Sequence, residues 1–162
     1  MNLKAISPVI ATVIIVSVAI AIAVAVAFWM TGITGLFTRY EKLEIVSAYA
    51  TAGTDKWTVK IIVRNSGTTD ATIDEIFING RPLGDYGDTN GVTPNTDSVT
   101  LTLGENHLAK GIALTAGSDY EITLYIPKGT AVGGTTFSSG QIVEVKLHTA
   151  SGNEYPKSVQ LP

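Results

Sequence analysis

The chain divides by its hydrophobic pattern into a uniformly apolar N-terminal stretch and a longer part in which apolar and polar residues alternate. Between residues 9 and 30 only Thr12 and Ser17 interrupt the apolar run, and residues 6–37 hold no charge. Such a run exceeds the roughly 20 residues that a helix needs to cross the hydrocarbon of a bilayer. Because the backbone in lipid must satisfy its own hydrogen bonds, the pattern predicts one hydrophobic helix over residues 6–40.

Within this stretch, small and large side chains recur at four-residue intervals. At about 100° per residue, the resulting rows alternate small and large around a helix. Small rows let another helix backbone approach closely, and large rows fill the gaps of the neighbour. The alternative is that the helix is only an Ala/Val-rich membrane anchor, in which the regular spacing of small and large residues is accidental. The predicted packing residues are Ser17, Ala21 and Ala25 in one small row, Ala19, Ala23 and Ala27 in the other, and Val18, Ile22 and Val26 in a large row.

The segment KAISPVIAT at residues 4–12, followed by the Val/Ile/Ala run, resembles the N-terminus of archaeal type IV pilins. The resemblance covers about the first 45 residues. It implies a basic leader, residues 1–5, which a prepilin peptidase removes between Ala5 and Ile6. It also implies that the helix anchors the precursor in the membrane. The assembly machinery then moves it into the core of a helical homopolymer outside the cell.

From Lys42 the pattern alternates between apolar and polar residues, which is typical of half-buried strands. Asn79-Gly80 predicts a tight hairpin turn, and Pro82 places the returning arm at a sheet edge. Seven or so short strands with frequent turns predict an antiparallel, immunoglobulin-like β-sandwich head over residues 41–162, and hence an α+β chain. The predicted strands cover residues 57–63, 73–78, 98–103, 111–114, 120–126, 143–147 and 155–161.

The composition of the 162-residue chain excludes several classes of function. A head of about 120 residues can bury a sufficient hydrophobic core without disulfide bonds or a structural metal ion. The absence of cysteine excludes disulfides and thiol catalysis. The net charge is −3 and no Lys/Arg cluster occurs, so nucleic-acid binding is not expected.

No residue pattern predicts catalysis, a cofactor or a metal. His107 and His148 are isolated, and His148 is predicted to be a solvated surface histidine. No G-x-S-x-G nucleophile motif occurs. The segment 86–97 matches a calcium loop at its third, fifth and sixth positions, but Tyr86 occupies the first position and Asp97 the twelfth.

Two Gly-rich segments, residues 84–97 and 127–140, are predicted to be flexible loops dense in hydroxyl side chains. No Asn lies in an N-x-[ST] context, so O-linked sugars are the modification that the sequence favours. The alternative is that Thr suits solvated strands and turns. The candidate O-glycosylation sites are Thr89, Thr93, Thr96, Thr130, Thr135, Thr136, Ser138 and Ser139.

Together these features predict a non-enzymatic structural subunit of an archaeal type IV pilus, an extracellular adhesion filament. Two alternatives remain open. One is an archaellin, the related subunit of the swimming filament. The other is a membrane-tethered β-sandwich that binds a ligand or partner.

Overall fold

The structure, a computed structural model, describes residues 7–37, 39–87 and 90–162. It has two compact units, one extending to Arg39 and the other formed by Tyr40–Pro162. The first contains a single helix, α1 (Ser7–Phe37), of 31 residues. At about 1.5 Å per residue this helix is about 46 Å long. The prediction of one long N-terminal helix is therefore confirmed.

The second unit is a mostly antiparallel β-sandwich, as predicted. Its described residues form two main sheets, one with the strand order β1-β2-β9-β6 and one with the order β11-β10-β3-β4, in which β8 also pairs with β3. A short parallel pair, β5 and β7, lies outside them. The strands are β1 (Leu43–Ala52), β2 (Lys56–Asn65), β3 (Ala71–Ile78), β4 (Arg81–Pro82), β5 (Asn90–Val92), β6 (Ser98–Thr102), β7 (Asn106–Leu108), β8 (Ile112–Leu114), β9 (Asp119–Pro127), β10 (Ile142–Thr149) and β11 (Glu154–Gln160).

The strand order matches that of an immunoglobulin-type sandwich. Strands β1, β2, β9 and β6 take the places of A, B, E and D, and β3, β10 and β11 take those of C, F and G. Within the two main sheets one pairing departs from the antiparallel prediction, because β6 runs parallel to β9. Before β6, the chain passes through the short strand β5 and then through a turn. In this turn the Asn95 N–H donates to the Ser98 carbonyl, and the chain direction reverses as β6 begins.

Alternation along the strands directs one face of each sheet into a single hydrophobic core. In β2 the odd positions from Trp57 to Val63 are buried and the even ones are not, which confirms the predicted strand phase. Ile61 lies directly opposite Ile122 of β9, and both are at most 1% exposed. The Trp57 indole N–H donates to the Pro162 carbonyl at 2.9 Å, so the core also holds the end of the chain.

The predicted hairpin at Asn79-Gly80 is confirmed. Both residues have positive φ, 49° and 78°, as a type I′ turn requires. The backbone N–H of Asn79 donates to the Glu144 carbonyl, and the Asn79 side-chain oxygen accepts from the Glu144 N–H. Pro82 lies in β4 at the edge of its sheet, as predicted.

The two segments predicted to be flexible loops are more structured than the sequence indicates. The first contains a 3-10 turn (Leu83–Tyr86) with both end residues buried, and then β5. The second inserts Val132 and Phe137 into the core. Isolated apolar residues therefore anchor both segments to the core, a contact that the sequence pattern did not predict.

Candidate assembly surface

The apolar side chains of α1 are exposed from Val9 to Met30. Every large hydrophobic residue among residues 9–30 exposes 47–75% of its surface. Residues 8–35 are long and apolar enough to cross a membrane. The helix has no polar face, so the hydrophobic effect favours covering it on every side by lipid or protein.

Because residues 7–37 form a continuous α-helix, four-residue spacing does form rows along its surface. The first small row holds Ser17, Ala21 and Ala25, the second holds Ala19, Ala23 and Ala27, and all six are exposed. The large row between them consists of Val18, Ile22 and Val26, which are 47–58% exposed. The packing of these rows against other copies of the chain remains a prediction.

The hydroxyl groups of Thr12 and Ser17 are hydrogen-bonded within the helix. The Ser17 hydroxyl donates to the Val13 carbonyl at 2.7 Å, and the Thr12 hydroxyl donates to the Val9 carbonyl at 2.8 Å. A polar group without a partner would be costly in an apolar environment. These internal bonds make both residues compatible with lipid and with a helix–helix interface.

Polar contacts fix the segment that enters the head. The Lys42 carbonyl accepts from the Ser66 and Gly67 N–H groups, and the Tyr40 carbonyl accepts from the Thr68 N–H. Gly67 is required by this close approach, because a Cβ there would lie 2.6 Å from the Tyr40 oxygen. The chain is therefore held by the sandwich from Tyr40 onward.

The Glu41 carboxylate joins the same end of the sandwich to the turn between β10 and β11. It accepts from the Ser151 hydroxyl at 2.5 Å and from the Asn153 amide at 3.4 Å. Partial burial raises the pKa of Glu41, but hydrogen bonds from Ser151, Thr149 and Asn153 outweigh it and hold the pKa below its ordinary value. Nothing in the local sequence indicated this contact, since its partners are over a hundred residues away.

We expect Glu41→Gln to destabilise the head at neutral pH by about 1 kcal/mol or less, since the site is mostly solvated. A carboxylate whose folded pKa is lowered stabilises the fold above its unfolded pKa and loses that contribution as pH falls through the folded value. The difference between wild type and variant should therefore shrink below about pH 4.5. Urea unfolding of the head at neutral and acidic pH measures it. The matched control is Glu144→Gln, at an exposed carboxylate without a side-chain partner in the described part of the chain. A pH-independent effect at Glu41 would contradict the prediction.

Arg81 anchors the opposite end of the sandwich. Its guanidinium donates to the Gly133 carbonyl at 2.9 Å and to the Asp85 carbonyl at 2.8 Å, and lies 4.5 Å from the centre of the Tyr86 ring. It thus ties the segment 127–140 to the 3-10 turn. Apart from the position of Arg81 after the hairpin turn, no local pattern predicts this role, because the Gly133 carbonyl lies 52 residues away.

The candidate glycosylation residues lie at both ends of the sandwich. Thr93 and Thr96 are close to the end at which the head begins, since the neighbouring Asn95 carbonyl accepts from the hydroxyl of Tyr120 near the start of β9. Burial, with a contribution from Asp97, raises the pKa of Tyr120 to about 12, so this donor stays protonated. Thr135 is half-buried and hydrogen-bonded by Arg81. At that opposite end the exposed candidates are Thr130, Thr136, Ser138 and Ser139, and Thr89 lies outside the described residues.

The processing residues Ala5 and Ile6 also lie outside the described residues. Within residues 7–37, 39–87 and 90–162, no three His, Asp or Glu residues are grouped so as to hold a metal ion. His148 is half-buried rather than freely solvated. Its Nδ1 lies 2.6 Å from an Asp74 carboxylate oxygen, and its ring meets Phe77 edge-on.

Comparison with models of known protein families finds no match, and comparison with curated protein sequences finds no significant relative.

Proposed function

We propose that the chain is a structural subunit of an extracellular archaeal type IV pilus, without enzymatic activity, which polymerises through α1. One observation carries the proposal: a 31-residue helix whose large apolar side chains between residues 9 and 30 are each 47–75% exposed. Such a surface needs a partner on every side. Lipid provides it before assembly and neighbouring helices provide it afterwards.

The exchange of lipid for protein changes the hydrophobic free energy little, because both surroundings are apolar. Specificity then comes from the van der Waals fit of small rows against large ones. A helix that serves only as an anchor needs no small rows on opposite faces. The repeated rows therefore favour the filament subunit over the membrane-tethered binding module.

Fractionation of cells tests the proposal. Shearing and sedimentation should release fibres that contain this chain as their main component. Recovery of the chain only in the membrane fraction would contradict the proposal and favour the tethered module. Swimming behaviour of a deletion strain distinguishes the two filament classes, because loss of motility would indicate an archaellin instead.

Processing is the first prediction of this proposal. We expect the mature chain to begin at Ile6, since the leader with Lys4 precedes the apolar run directly. Intact mass and N-terminal sequencing of assembled material measure it. Assembled subunits that begin at Met1 would show the prediction to be wrong.

O-linked sugars on the head are the second prediction. We expect the filament subunit to exceed its polypeptide mass, with sugars on exposed residues such as Thr130 and Thr136. Peptide mapping offers an internal control, because Thr123 and Thr149 are buried and should remain unmodified. A subunit with the bare polypeptide mass would contradict this prediction.

A further inference from the structure

Helix α1 is longer than the apolar layer of a bilayer, and its sequence changes character at one point. Residues 8–29 rise about 32 Å along the axis, close to the roughly 30 Å of a hydrocarbon core. Beyond Trp29 comes the sequence Met-Thr-Gly-Ile-Thr-Gly at residues 30–35. The final two turns are therefore richer in hydroxyls and exposed backbone than the stretch before them.

Aromatic residues mark the point of change. Phe28 is 75% exposed and Trp29 is 68% exposed, the two highest values among the large hydrophobic residues between residues 9 and 30. Trp is enriched at the boundary between hydrocarbon and water, where the ring is sheltered and the indole N–H finds a polar partner. The Trp29 ring is thus suited to the boundary and not to the centre of the bilayer.

The residues after Trp29 suit the headgroup layer. Thr31 and Thr34 place two hydroxyls within four residues, and each oxygen keeps acceptor capacity for water or headgroups while its proton is shared with carbonyls of the preceding turn. Gly32 and Gly35 leave the backbone uncovered, since a Cβ at either would meet nothing within 4 Å. The last carbonyls of a helix have no partner within it, so the end of α1 near Phe37 is favoured in the hydrated headgroup layer over hydrocarbon.

We propose that, in the membrane-inserted form, the outer boundary of the hydrocarbon layer lies at Trp29, with residues 31–37 in the headgroup layer. This inference rests on the membrane-inserted precursor of the proposed function. The partner is a lipid bilayer about 30 Å thick in its hydrocarbon. Immersing residues 8–35 entirely would require a tilt of roughly 40°, at the upper limit of observed helix tilts.

Cysteine labelling tests this boundary, because the chain has no cysteine and each introduced thiol is unique. The variants are Thr31→Cys and Thr34→Cys beyond the boundary, with Val24→Cys and Ala27→Cys within it. The full chain is inserted in phosphatidylcholine vesicles and treated with a membrane-impermeant maleimide. We expect labelling at 31 and 34 to be at least roughly tenfold faster, because thiolates form only where water has access. In detergent with denaturant, all four thiols should react at similar rates.

The labelling outcomes separate the boundary from the membrane insertion on which it rests. Slow labelling at all four positions would overturn the proposed boundary while leaving membrane insertion intact. Fast labelling at all four would show that the helix is not inserted, and would contradict the membrane step of the proposed function itself.

Fluorescence quenching gives an independent measurement. Trp57 is 3% exposed in the head core, so brominated lipids should quench Trp29 alone. We expect bromines near the headgroup to quench more strongly than bromines near the chain ends. The reverse order would overturn the boundary at Trp29, and Trp29→Phe should abolish the depth-dependent quenching.

Discussion

Ala21→Leu and Ala23→Leu are each expected to abolish filament assembly or make the filaments fragile, while membrane insertion survives. In a packed core of helices, leucine at a small position meets a neighbouring backbone or large row. Overpacking of this kind costs typically about 1–3 kcal/mol per site. A filament repeats that cost at every subunit, so the effect on assembly should be large.

The exposure of these two residues makes the test specific to contacts between subunits. Ala21 and Ala23 are both exposed in α1, so leucine there displaces nothing within the described helix. Leucine also forms helix almost as well as alanine and inserts favourably in lipid. The two positions lie about 200° apart around the axis, so they sample opposite faces.

Val18→Leu and Ile22→Leu are the matched controls on the large row, and they should be milder. Yield and heat resistance of sheared filaments measure all four variants. Normal filaments from both alanine variants would refute the packed core and favour the tethered module. Failure of only one would indicate a one-sided contact instead of a core.

The second large effect is expected in the head, where Ile61→Ala should destabilise by about 2–5 kcal/mol. Ile61 is fully buried and lies opposite Ile122, so truncation leaves a cavity between β2 and β9. Similar losses are expected for truncation of Trp57, Ile122 and Val145, which the alternation of the sequence also placed in the core.

The adjacent residue is the matched control. Ile62 has the same side chain on the same strand, but it faces outward and is only partly buried. We expect Ile62→Ala to cost about 1 kcal/mol, and Glu144→Ala, on an exposed position, less than about 0.5 kcal/mol. Urea unfolding of residues 40–162 measures these differences. Equal losses at Ile61 and Ile62 would contradict the strand phase.

Local chemistry made much of the head predictable. Strand β2 alternates without interruption, and the Asn-Gly pair at residues 79 and 80 specifies its own turn. Each of these signals depends only on neighbouring residues. The long helix was equally predictable, because an uncharged apolar run of this length typically forms a membrane-spanning helix.

Other elements depend on contacts that are distant in the sequence. Strand β1 was not predicted as a separate strand because the shift in pairing between Ile45 and Ser47 breaks its alternation. Strand β6 pairs in parallel with β9. The residues of a strand do not indicate whether it runs parallel or antiparallel to its neighbour, so this pairing was not predictable. Phe137 resembles a lone apolar residue in a polar segment until the core that receives it is known.

The candidate site was predictable in part for the same reason. The rows of α1 follow directly from helical periodicity, whereas Glu41 and Arg81 act through partners 110 and 52 residues away. The contacts between heads in a filament depend on how the subunits are arranged. No short sequence pattern in this chain predicts those contacts.

Electron microscopy of fibres sheared from cells that make this chain tests whether the chain polymerises through α1. We expect filaments built from this chain, with a core of closely packed helices, each about 46 Å long, surrounded by a wall of β-sandwich heads. Cells that produce the chain but carry no such fibres, or fibres built from a different subunit, would contradict the claim.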